Sequence, residues 1–209
     1  MSCQVTILSR SFALAAAIVS TTAFAQNATV DGDTAFTEPC AAEPFRQFDF
    51  WVGDWVAFDY ETGVVQGIDR IEIIEHGCAL RQHWSQLTDR YRTPDAPHRY
   101  GGMSISAMAP GPRWQQMWVG NSGGAITLQG ELRESDGAMV MVQEFAGPDD
   151  VEYHRTWYWV PEEDGTVHSW GEIRIRQENG EWGEPQIPWN LRYVSRSAVG
   201  NLVEAPEEE

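Results

Sequence analysis

Between residues 55 and 195 the chain alternates short apolar or aromatic runs with turn signals, and that punctuation leaves few folds open. The breaks fall at Glu61-Thr62-Gly63, His76-Gly77, Pro110-Gly111-Pro112, Asn121 to Gly124, Asp136-Gly137, Gly147 to Asp150, Pro161 to Gly165 and Asn179-Gly180. Glycine supplies positive φ, proline fixes φ, and Asn or Asp bonds its own backbone, so each break is turn chemistry. The runs between them are rich in β-branched and aromatic residues, which suit a pleated, half-buried strand. They predict strands at 55–60, 64–74, 79–87, 100–108, 113–119, 126–134, 139–145, 152–160, 167–177 and 189–195, with a polar, two-proline loop at 90–98. No long segment has helical periodicity. The expected fold is all-β: an antiparallel up-and-down β-barrel of about eight to ten strands. Closing the sheet removes its two free edges. An open sandwich is the alternative.

Just before this ladder, residues 45–55 read Phe-Arg-Gln-Phe-Asp-Phe-Trp-Val-Gly-Asp-Trp. Phe48, Phe50, Trp51 and Trp55 can each bury about 150–250 Å². Gly53 permits a turn or close approach before Trp55. The expectation is a short helical turn that plugs one end of the barrel and feeds its first strand.

Residues 1–25 carry the marks of a secretory signal peptide. Arg10 is the lone charge, an Ala-rich apolar run follows, and Ala23-Phe24-Ala25 offers a small-x-small cleavage pattern. The run is shorter than the ~20 residues of a spanning helix. The expected location is periplasmic or secreted, with no stable membrane insertion after cleavage. Residues 26–44 read as a flexible, turn-rich lead, 45–196 as one barrel domain, and 197–209 as an acidic, disordered tail. The formal charge is −17, from 31 acids against 14 basic residues, every one of them Arg. That disfavours nucleic acid and anionic lipid. Without lysine there is no Schiff base and no P-loop. Cys3 leaves with the signal, so Cys40 and Cys78 form a candidate disulfide in an oxidising compartment, against the reading of two free thiols.

The phrase Phe48-Asp49-Phe50-Trp51-Val52-Gly53-Asp54-Trp55 contains the Gly-x-Trp entrance of lipocalins and other calycins. It resembles the opening of an exported bacterial lipocalin-like (calycin) family of unknown function. Gly77-Cys78-Ala79-Leu80, His83-Trp84, Trp114 to Val119 and Arg155-Thr156-Trp157 extend the resemblance in order. The resemblance implies a calycin barrel but no agreed activity, since a fold does not fix a function. It also implies that an Arg of the last strand packs over the entrance Trp. Arg196 is the first choice as partner of Trp55, and Arg192 the second. No second lipocalin motif and no His arrangement of the haem-binding members is present.

Strand alternation places Gln82 with Trp84, Gln116 with Trp118, and Arg155 with Trp157 on shared faces. A large aromatic beside an amide or guanidinium is what a ligand pocket needs. These six residues are the candidate binding set for a small hydrophobic or amphipathic molecule, with Arg155 the group for a carboxylate. A packed interior, and with it an envelope interaction protein, is the bland alternative. A cofactor-free isomerase or lyase is a third reading, with Glu72, Glu75, His76 and His83 as acid–base candidates. Glu152 and His154 share a face, but no His-x-His or His-Glu-x-x-His appears, and neither metal nor cofactor is expected. Gly101-Gly102 and Gly123-Gly124 read as turn or bulge devices. The oligomeric state is not legible.

Overall fold

The computed structural model describes residues 39–111 and 113–200. The signal peptide expected at 1–25, most of the lead at 26–44 and the tail beyond Gly200 lie outside the described residues.

Ten strands form: β1 (Gly53–Asp59), β2 (Val65–Ile74), β3 (Ala79–Gln86), β4 (Gly101–Ala109), β5 (Arg113–Gly120), β6 (Ala125–Arg133), β7 (Ala138–Ala146), β8 (Glu152–Pro161), β9 (Val167–Ile175) and β10 (Gln186–Ser195). Each pairs antiparallel with its neighbour in sequence, and β1 pairs with β10 from Trp55↔Ser195 to Asp59↔Leu191. That last pairing closes the barrel and excludes the open sandwich. Every strand start and end lies within three residues of its sequence-based expectation, because the turn residues terminate the ladder wherever they occur. The expected tail begins differently: Arg196–Val199 form a one-turn helix, α1. Among the described residues no helix is long and apolar enough to cross a membrane.

Phe48 and Trp51 plug the end where β1 begins. A short 3-10 turn, Asp49–Trp51, carries them inward. Phe48 stacks on Trp51 with centroids 5.0 Å apart and meets the edges of Trp114 and Trp159 at 5.8 and 5.3 Å. Trp55 donates its indole N–H to the Trp51 carbonyl at 2.9 Å. A Cβ on Gly53 would stand 3.2 Å from that indole, and its φ is 153°, so glycine is required there.

A disulfide and further hydrogen bonds, among them Trp114 Nε1 to Gln47 Oε1 at 3.3 Å, hold the plug to the barrel. Cys40 and Cys78 form the expected disulfide, across a separation of 38 residues. Arg46 donates to the Gly77 carbonyl and pairs with Asp49 at 3.3 Å.

Candidate functional site

The inward positions follow from strict alternation. On β3 they are Leu80, Gln82, Trp84 and Gln86; on β5 they are Trp114, Gln116 and Trp118. Register carries the same face to Arg155 and Trp157 on β8 and to Leu191 and Tyr193 on β10. Above the plug the interior stays open as a cavity of 460 Å³. That is within the ~300–1,000 Å³ of small-molecule sites.

The space survives because the indoles lie along the wall. Trp84 lies across Gly67 of β2, Trp118 across Gly102 of β4, and Trp189 across Gly171 of β9. A Cβ on those glycines would come within 2.5, 2.4 and 2.7 Å of the ring atoms. Gly102 is therefore a seat for an indole in regular register inside β4, and not the turn or bulge device expected from the Gly-Gly pair. Trp157 meets Trp189 edge-on at 5.8 Å and Trp159 at 6.1 Å. Trp118 is pinned by donating its indole N–H to the Tyr100 hydroxyl at 2.8 Å.

Five of the six candidate residues border the cavity: Gln82, Trp84, Trp118, Arg155 and Trp157. Gln116 does not. It is fully buried nearer the plug, where its Nε2 donates to Ser106 Oγ at 2.9 Å and its Oε1 has no hydrogen-bond partner. Alternation gave its face correctly but not its depth. Trp55 belongs to the plug, edge-on to Tyr193 at 6.4 Å. Arg196 opens α1, which packs against β1 and β10. Arg192 bonds to Asp164 at the barrel surface.

Arg155 brings a guanidinium to the cavity wall. Its Nη1 donates to Gln143 Oε1 at 2.6 Å, and its guanidinium lies 4.6 Å over the Phe145 ring. Burial pulls its pKa below the usual arginine range. Arg90 stands at the mouth, donating to the Pro188 carbonyl at 3.2 Å, with Tyr91 beside it bonding the same carbonyl at 3.3 Å. The polar loop before β4 thus reaches across to β10 and narrows the opening. The described lining contains these two arginines and no Asp, Glu or His. Arg90 also pairs with Asp59 at 3.9 Å, so among the described lining residues Arg155 is the cation without a carboxylate partner.

Sequence reasoning missed Asp69 and Tyr193. Asp69 faces inward on β2, in register with Trp55 and Trp84. The signal was present in the alternation Gly67, Asp69, Ile71. Its Oδ2 accepts from Gln82 Nε2 at 2.7 Å, and Gln82 Oε1 accepts from Ser104 Oγ at 2.8 Å. Burial pushes the Asp69 carboxyl well above the usual carboxylate range, with Gln82 and Tyr193 offsetting it in part.

The acid–base candidates stand elsewhere. Glu72 pairs with Arg70 at 2.7 Å and with Arg81 on the outer face. His83 is exposed beyond the wall, and Glu75 and His76 form the turn before Cys78. Glu152 pairs with Arg176 at 2.9 Å, while His154 packs on Trp182 at 5.4 Å. Among the described residues no three His, Cys, Asp or Glu converge as metal ligands. A scan against protein-family models found no match for the chain, and a search of curated proteins found none.

Proposed function

We propose that this protein is an exported carrier that takes a small, largely apolar anion into its barrel. The observation that carries the reading is Arg155. It is a half-buried guanidinium among indoles, with no carboxylate on the described cavity wall. Burying a cation without a counter-ion is costly, and an anionic ligand relieves that cost while its apolar body covers the indoles. The signal-like N-terminus, the disulfide and the lipocalin-like phrase around Trp55 support export and a carrier role. An isomerase or lyase in the same cavity would need a base on its wall, and the described lining offers no Asp, Glu or His.

Calorimetric titration with 2-naphthoate and its neutral amide tests this. The acid should bind more tightly than the amide. Arg155→Met should weaken the acid by about tenfold or more, the worth of a charge-assisted hydrogen bond, and barely affect the amide. Equal binding of acid and amide would remove the anionic head group from the account, and no binding of either would remove the carrier.

A further inference from the structure

Tyr100 lies just before β4, and its ring borders the cavity. Two neighbours on β5 place its hydroxyl. Trp118 Nε1 donates to the phenolic oxygen at 2.8 Å, and an indole nitrogen can only donate, so the direction of that bond is fixed. Gly120 makes room beside it, since a Cβ there would stand 2.8 Å from the same oxygen. The Tyr91 ring packs edge-on against the Tyr100 ring at 5.6 Å. The bond from Trp118 uses a lone pair of the hydroxyl and leaves its hydrogen, for which no described residue is an acceptor. Tyr100 thus brings a positioned, unused donor to the cavity.

Arg155 reaches the same end of the barrel. Successive strands run in opposite directions and β1 begins at the plug, so β4 and β8 both begin at the mouth. Arg155 stands near the start of β8, and its guanidinium lies over Phe145, close to the mouth end of β7. Burial dominates the ionisation of both Arg155 and Tyr100, and each also acts on the other, which fits this common level. Gln143 takes Nη1 of Arg155, and no described residue accepts from its other guanidinium nitrogens.

We propose that the Tyr100 hydroxyl and the Arg155 guanidinium hold one head group of the ligand between them, and that this head group is a carboxylate. Two oxygens on one carbon suit two donors, and a single negative charge suits a single unpartnered guanidinium. Arg90 is already paired with Asp59 at 3.9 Å. A phosphate monoester would bring about two charges to that one cation. The carboxylate sits at the mouth end, and the apolar body runs inward along Trp84, Trp157 and Trp189. Trp118 and Gly120 are positioning residues for the hydroxyl. This inference rests on the carrier reading, and adds the head group and its second donor.

The test is calorimetric titration of 2-naphthoate into wild type, Tyr100→Phe, Arg155→Met and the double variant. Tyr100→Phe should weaken 2-naphthoate by about tenfold, as one hydrogen bond to a charged acceptor allows. It should weaken 2-methylnaphthalene far less, because that compound has the same body and no head group, and its binding also shows that the variant folds. In the Arg155→Met background the same substitution should cost clearly less than it does alone, since a shared head group couples the two sites. Wild type should bind 2-naphthyl phosphate, mostly a dianion at neutral pH, about tenfold more weakly than 2-naphthoate. Equal losses for acid and hydrocarbon in Tyr100→Phe would mean a displaced indole wall and overturn the proposal. So would losses that multiply in full in the double variant, or a phosphate ester that binds as well as the acid. If Arg155→Met weakens 2-naphthoate and Tyr100→Phe does not, this inference fails and the carrier reading stands. If neither 2-naphthoate nor the hydrocarbon binds wild type, the carrier reading falls and this inference with it.

Discussion

The cost of ionising Asp69 sets a pH dependence for the whole barrel. Its folded pKa is raised, whereas in the unfolded chain it titrates near the ordinary value of about 3.9. The folded state therefore holds the proton over a window in which the unfolded state has lost it, and stability falls as pH rises from about 4 toward the folded pKa. Asp69→Asn removes that term. Its melting temperature should match wild type near pH 3.5 and exceed it increasingly above pH 5, by roughly 2–4 °C for each kcal/mol relieved. Scanning calorimetry across pH checks this, and a gap that narrowed with rising pH would reverse the sign. A second prediction concerns Gly102. A Cβ there would lie 2.4 Å from the Trp118 ring and 2.5 Å from the Val119 carbonyl, and backbone cannot yield as a side chain tip can. Gly102→Ala should cost roughly 1–3 kcal/mol in urea unfolding and push the indole toward the axis, weakening any bound anion. Unchanged stability would mean that the seat is not needed.

At the scale of elements, the plug and its disulfide act together. Phe48 and Trp51 lie before β1, so their packing, the disulfide and the hydrogen bonds made by Arg46, Trp55 and Trp114 keep them inside. A loop of 38 residues closed by the Cys40–Cys78 bond corresponds to about 4 kcal/mol of chain entropy. Replacing both cysteines by serine should lower the melting temperature by roughly 8–16 °C. Hydrogen exchange should rise first in residues 45–52 and at the start of β3, where the bond is anchored. Exchange rising first at the mouth, in residues 87–100, would contradict that placement. These elements were legible because each is local: glycine and proline stop strands, and a cluster of aromatics must be buried. The mouth was not. Arg90 and Tyr91 meet Pro188 across nearly a hundred residues, and no periodicity in the sequence encodes that meeting.

For the whole molecule, alternation told which side chains share a face, and closure told that one face is interior. Together they reached Gln82, Trp84, Trp118, Arg155 and Trp157. They did not reach depth, which depends on strand stagger around the barrel, and so Gln116 was assigned to a cavity it does not border. Asp69 shares the alternation of Gly67 and Ile71, but acids are seldom buried, and the closed barrel is what shows this one inside. The barrel that results has a packed aromatic end and an open, indole-lined end that holds Arg155. Nuclear magnetic resonance of the tryptophan indole N–H groups tests that division most directly. On addition of 2-naphthoate, the signals of Trp84, Trp118, Trp157 and Trp189 should move, while those of Trp51, Trp55 and Trp114 in the plug stay in place. Shifts confined to the plug, or to Trp170 and Trp182 outside the cavity, would contradict the account.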